Sequence, residues 1–162
     1  MLDKFFSPKN KNKGFTLIEL LVVIGILAVL LAITLIAINP AKQFSQANNT
    51  KRRSDVNAIL NAIDQYAADN KGALPSGIND TNQQIGAASP ANPALDDLCA
   101  SLVTKYLAAF PVDPLTTNGN PVLAPCPTTY LTNYWVFKSV ADNRVTVSAP
   151  AAELGETISV TR

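Results

Sequence analysis

Few residues in this sequence have the types that chemistry needs. There is no histidine, so the commonest general base and the commonest transition-metal ligand are both missing. The two cysteines, Cys99 and Cys126, stand far apart and match no zinc or Cys-x-x-Cys spacing. As a pair they fit one disulfide in an oxidising compartment. One carboxylate, Glu19, stands directly before 19 uncharged residues, 20–38. A carboxylate at mid-bilayer costs about 2.5–3.5 kcal/mol, and less near an interface. Two readings of Glu19 follow: a carboxylate at headgroup level, or a group that awaits a positive partner. An N-terminal amine would be such a partner if the chain were cut nearby.

The elements that must position these residues begin with the apolar run. At 1.5 Å per residue, 19 residues make a helix of roughly 28 Å, close to the hydrocarbon thickness of a bilayer. A cleavable secretory signal has a shorter apolar core and a small-x-small cleavage site, and no Ala-x-Ala ends this run. The 162 residues suffice for one domain of ordinary size, 48% hydrophobic and 15% charged. The pattern is a folded domain with a membrane element attached. A net charge of +1 gives no electrostatic footprint for nucleic acid. Residues 1–14 carry Lys4, Lys9, Lys11 and Lys13 against Asp3, and without them 9 basic and 11 acidic residues remain. Lysines on the N-terminal flank are matched by Lys42, Lys51, Arg52 and Arg53 on the other. Only proximity to the run favours a cytoplasmic N-terminus.

The stretch Gly14-Phe15-Thr16-Leu17-Ile18-Glu19, preceded by lysines and followed by the apolar run, resembles the type III signal of type IV pilins and pseudopilins. The resemblance implies that a prepilin peptidase cuts between Gly14 and Phe15 on the cytoplasmic face, and that Phe15 is then N-methylated. It implies that Glu19 pairs with the Phe15 ammonium of a neighbouring subunit during assembly. Opposite charges attract strongly in low dielectric and an unpaired one is penalised, so such pairing would fix the axial register of subunits.

Pro40 either ends the apolar helix or kinks it. The absence of any other proline or glycine from 41 to 70 favours continuation. Val56, Ile59, Leu60, Ile63, Tyr66 and Ala67 share one helical face. Asn57, Asn61, Asp64, Gln65 and Asp69 take the other. The expectation is one helix over residues 15–71, about 85 Å long, ended by Asn70-Lys71-Gly72. The cluster Lys51-Arg52-Arg53 reads as a solvated basic face; the competing reading is contact with anionic headgroups or with acidic patches of neighbouring subunits. Residues 66–75, YAADNKGALP, are similar to a helix-end signature of pilins and of the major pseudopilins.

Residues 76–98 read as an irregular surface loop. Residues 96–109 have helical spacing at Leu98, Leu102 and Tyr106, with Asp96 as N-cap. In calcium-binding pseudopilins the oxygen ligands follow this point, which makes Asp113, Asn118 and Asn120 the calcium candidates by resemblance. They contain one carboxylate and no EF-hand spacing, and a plain Asn-Gly turn is the expected reading, with no metal and no cofactor. Residues 130–140, 144–149 and 156–161 alternate and read as an antiparallel meander. Tyr134, Trp135 and Phe137 are expected in its core and cross-strand pairs rather than as a base-stacking platform. A Cys99–Cys126 disulfide would close a loop of 27 residues, worth roughly 3–4 kcal/mol. Asn48 and Asn79 begin glycosylation sequons.

The fold expected is α+β, a pilin fold: a basic leader over 1–14, a transmembrane assembly helix over 15–39, its amphipathic continuation over 40–71, an irregular region with a short helix over 72–129, and a small antiparallel β-sheet over 130–162. The function implied is structural, not enzymatic. The chain would be a subunit of a type IV pilus or pilus-like filament, with itself, the prepilin peptidase, the pilus or secretion assembly machinery and the membrane as partners. A pseudopilin or minor pilin of a type II secretion or DNA-uptake system is the alternative. An enzyme or sensor on an uncleaved anchor is the third reading. The domain is expected outside the cytoplasmic membrane after a single pass, and then in a surface filament.

Overall fold

A computed structural model describes residues 14–87 and 95–162. The expected leader up to Lys13 and part of the expected surface loop, 88–94, lie outside the described residues. The chain divides into two compact units, residues 1–40 and 41–162.

The first unit is helix α1, Leu17–Ile38, which has 22 residues, a mean hydropathy of 3.2 and no buried residue. It is long and apolar enough to cross a membrane. Thr16 caps its start and Asn39, at φ 46° and ψ 76°, ends it in the left-handed region. The single helix expected over 15–71 is therefore broken. Asn tolerates the left-handed region better than most residues. Pro40, lacking an N–H, then opens α2, Pro40–Asp69, at the first helical position, where no donor is needed.

In the second unit α2 lays one face on the rest of the domain. Its buried residues are Asn49, Arg52, Val56, Ile59, Leu60, Ala62 and Ile63. Asn49, Arg52, Val56, Ile59 or Leu60, and Ile63 step by three or four, so a single stripe runs from polar to apolar along the helix. Ile59, Leu60 and Ile63 pack with Ile85, Leu102, Phe110, Tyr134 and Val147 in one core. Each fully buried large aliphatic contributes about 1.5–3 kcal/mol. Gly72 at φ 89° lies just past the helix, and its N–H reaches back to the carbonyl of Ala67, a left-handed C-terminal stop.

The sheet comprises β1 Gln83–Gly86, β2 Leu95–Asp96, β3 Leu131–Lys138, β4 Val145–Ser148 and β5 Ser159–Thr161, in the order β2-β1-β3-β4-β5. The β1, β3, β4 and β5 pairings are antiparallel, and β2 joins the β1 edge in parallel. The meander of the C-terminal third is thus present. Its neighbour β1 falls in what reads as loop. A Cβ at Gly86 would lie 2.6 Å from the carbonyl oxygen of Tyr130, so only glycine permits this close pairing. The register shifts between Gln84 and Gly86, where Asn133 takes φ 63° and the Thr132 hydroxyl donates to the Ile85 carbonyl at 2.7 Å. Tyr134 is fully buried, whereas Trp135 and Phe137 point to the other face and are half-buried.

The helix expected over 96–109 is shorter. Asp96 is in β2, and α3 is one turn, Cys99–Leu102. Val103 is extended and Thr104 has φ 77°. Leu98 and Leu102 still reach the core, by a turn rather than by a continuing helix.

Candidate functional site

Gly14, Phe15 and Glu19 gather at the start of α1. Gly14 and Phe15 are exposed and precede the helix. The run Thr-Leu-Ile-Glu folds as a capping box. The Glu19 carboxylate accepts from the Thr16 N–H and the Thr16 hydroxyl, both at 2.7 Å, and the Glu19 N–H donates to Thr16 Oγ1 at 3.3 Å. Such a box satisfies donors left open at a helix start, and the macrodipole favours a carboxylate there. Glu19 thus lies at the end of the apolar helix, folded back toward Phe15. Thr16 is the residue that sequence reasoning passed over. The signal was present, because a Thr three positions before a Glu and ahead of an apolar run marks a capping box.

A second polar cluster lies on α2, and it overturns the reading of a solvated face at Arg52, while Lys51 and Arg53 are exposed as expected. Arg52 is fully buried. Its Nε donates to Asp113 Oδ2 at 2.6 Å and Nη2 to Asp113 Oδ1 at 3.2 Å, a two-pronged bond with both side chains at 0% exposure. Nη1 donates to Asn49 Oδ1 at 3.0 Å and to Glu153 Oε2 at 2.8 Å. Burial opposes the guanidinium charge, but the bonds to Asp113 and Glu153 outweigh it and raise the pKa above its ordinary value. Hydrogen bonds from Arg52, Asn48 and Ser45 pull the Glu153 carboxyl down to about 2. Lys51 donates to the Val112 carbonyl at 3.0 Å and pairs with Asp55 at 3.5 Å, and Arg53 pairs with Glu156. Of the three cations only Arg52 turns fully inward, while Lys51 and Arg53 stay exposed and pair along the edge of the α2 contact.

The Asn49 amide reads the backbone of Glu153 in both directions. Its Nδ2 donates to the Glu153 carbonyl at 2.8 Å and its Oδ1 accepts from the Glu153 N–H at 2.9 Å. Asn48, of the first sequon, spends its amide on Glu153 Oε2 at 2.9 Å, while Asn79 of the second is exposed. Below this layer Tyr134 donates to Asp55 Oδ2 at 2.7 Å. Burial, then the hydrogen bond to the Asp55 carboxylate, pushes the phenol far above its usual pKa.

The calcium candidates are not brought together as a ligand set. Asp113 is buried with both oxygens held by Arg52, and Oδ1 also accepts from the Leu115 N–H at 2.9 Å. Asn118 and Asn120 are exposed, and Thr117, Asn118 and Gly119 all have positive φ in one tight turn. Among the described residues no group of three His, Cys, Asp or Glu side chains could hold a metal ion. The structure joins Cys99 to Cys126 in a disulfide. Asp97 Oδ1 accepts from the Tyr130 hydroxyl at 2.7 Å and the Cys99 N–H at 3.2 Å, which fixes the buried end of the bridge.

Comparison with known proteins agrees with this architecture. Residues 9–35 match the family model of the prokaryotic N-terminal methylation motif. The chain is 36% identical over 106 residues to the type II secretion system core protein G of Escherichia coli K12, covering 65% of this chain and 68% of that protein. It is 35% identical over 117 residues to core protein G of Pseudomonas aeruginosa PAO1, covering 70% and 72%. Fimbrial protein Q of Moraxella bovis is 35% identical over 96 residues, covering 57% of this chain and 59% of its own length. No solved structure matches the chain significantly. With the methylation motif on the apolar helix, the α+β domain behind it, and relatives in both secretion and fimbriae, the chain belongs to the type IV pilin and type II secretion pseudopilin family, whose members are structural rather than enzymatic.

Proposed function

We propose that this chain is a filament subunit of the type IV pilus kind, matured by cleavage between Gly14 and Phe15 and by N-methylation of Phe15. The observation that carries this is α1: 22 residues, all exposed, with one carboxylate gathered at its start. An apolar surface of that extent does not stay in water. Lipid covers it before assembly, and the helices of other copies cover it afterwards. Since both surroundings are apolar, the transfer turns on packing and polar contacts rather than on the hydrophobic effect. Glu19 is the polar contact on offer, and cleavage creates its complement, the Phe15 ammonium of a neighbouring copy. A charge pair in low dielectric penalises any register that leaves it unmade.

In this reading the chain crosses the cytoplasmic membrane once, with its folded unit outside, where the disulfide persists. The prepilin peptidase and an assembly machine driven by ATPases are its partners. Intact mass and N-terminal sequence of the protein from native cells, with electron microscopy of sheared filaments, test the proposal. A chain that begins at methylated Phe15 and is recovered in filaments supports it. Residues 1–14 retained in cells with a working prepilin peptidase would overturn it and leave a plain membrane anchor. A second reading, a pseudopilin of a type II secretion system, is favoured by the two core protein G relatives. Loss of protein export without loss of surface filaments on gene deletion would select it.

A further inference from the structure

Lys51 and Arg52 enter the loop of residues 112–120 from adjacent positions on α2. Arg52 takes both oxygens of Asp113. The Lys51 ammonium bonds the Val112 carbonyl, and a Cβ added at Gly119 would lie 3.1 Å from its nitrogen. The ammonium therefore lies against the turn made by Thr117, Asn118 and Gly119, with the Lys51 side chain still 44% exposed. Backbone bonds hold the loop as well: the Asp113 N–H donates to the Thr132 carbonyl of β3 at 2.9 Å, and within the loop the Thr116 N–H donates to the Asp113 carbonyl at 2.9 Å.

A loop with one carboxylate, two asparagines and inward carbonyls has the oxygen chemistry that calcium accepts. These residues nevertheless do not fit the ion. Calcium needs oxygens at about 2.3–2.6 Å, and to reach Asp113 it would have to displace a buried guanidinium. It would then stand near the Lys51 ammonium as well, with like-charge repulsion. We infer that Lys51 and Arg52 are the loop's built-in cations: α2 supplies from its own side chains the positive charge that a bound divalent ion would supply. The folded unit therefore forms and holds this loop independently of calcium. The inference concerns folding alone and stands whether or not the chain enters a filament.

The test is thermal unfolding of the full chain in detergent micelles, in excess calcium, excess magnesium or a calcium chelator at matched ionic strength. The three midpoints are expected to agree within about 1 °C, and Lys51→Met to lower all three by about 2–5 °C. Lys51→Arg, which keeps the cation and is the milder change, is expected within about 2 °C of the wild type. A midpoint that rises with calcium but not with magnesium would overturn the inference. So would a Lys51→Met variant that melts with the wild type, or a Lys51→Arg variant that loses as much as Lys51→Met.

Discussion

Replacing Arg52 with Met tests whether the folded unit is organised around a buried charge. Methionine fills much of the arginine volume and places no donor beside Asp113. That carboxylate has no exposed surface, and its remaining side-chain partner is the Leu115 N–H. Removing one member of a buried ion pair costs about 3–5 kcal/mol, because the other charge stays behind unpaired. The Glu153 carboxylate is part-exposed, so water can take over for the guanidinium there, and the larger cost falls on Asp113. At about 2–4 °C per kcal/mol the melting midpoint should fall by roughly 6–20 °C. Urea titration of the full chain in detergent, followed by the fluorescence of the half-buried Trp135, gives the free energy directly. The double variant Arg52→Met/Asp113→Leu should regain most of the loss, since well-packed apolar replacements of a buried pair are often neutral or stabilising. A single variant that costs less than about 1 kcal/mol, or a double variant less stable than the single one, would refute the reasoning.

Three further outcomes are expected. The Glu153 carboxyl, held near 2 rather than 4.5, contributes stability that is present at neutral pH and lost as the pH falls through that window; Glu153→Gln lacks that contribution at pH 7 already, so its midpoint-against-pH curve should be flatter between these values, and overlapping curves would count against the assignment. Asp69 and Asp142, whose carboxyls are lowered by hydrogen bonds, shift in the same direction. Replacing both Cys99 and Cys126 with serine should cost about 3–4 kcal/mol for a loop of 27 residues, read by urea titration with the reduced wild type as control. Thr16→Val removes the hydroxyl that holds Glu19 while keeping the side-chain shape; leader removal should be unchanged by mass, filament yield should drop several-fold, and Thr16→Ser should restore it. Equal yields from the valine and wild-type chains would show that the capping box does not matter to assembly.

The apolar helix could be read without tertiary information because 19 uncharged, mostly apolar residues are long enough for a membrane-spanning helix whatever lies beyond them. The apolar half of α2 was equally open, since Val56, Ile59, Leu60 and Ile63 repeat at the helical period and nothing interrupts them. Asn39 was harder. Pro40 permits a kink or a stop, and the choice depended on whether the preceding residue would turn left-handed. The strand at residues 83–86 offers a single apolar residue, Ile85, among glutamines and a glycine, too few for an alternation to register; its place is set by the carbonyl of Tyr130 and the hydroxyl of Thr132. Spacing at Leu98, Leu102 and Tyr106 imitated a helix because a one-turn helix and a following bend also return side chains to the core. Arg52 is the clearest case: three consecutive basic residues look solvated unless the carboxylates that receive them are known, and those lie 61 and 101 residues away. The pilin-like signal at Gly14, Phe15 and Glu19 needed no such partners, since its residues are adjacent in the chain.

The contacts that close over α2 also order events in time. Ser45, Asn48, Asn49 and Arg52 bond residue 153 across separations of 101–108 residues, and Arg53 and Arg162 make similarly distant pairs with Glu156 and Asp64. Non-local closures of this kind bear the full entropy of the intervening chain before they are rewarded, and they slow folding. Until Glu153 has left the ribosome, Arg52 on α2 lacks one of its two carboxylate partners. A chain cut or stalled before Glu153 would therefore expose the polar end of the α2 stripe as well as apolar surface, and so differ chemically from the finished unit in a way that a protease or chaperone can sense.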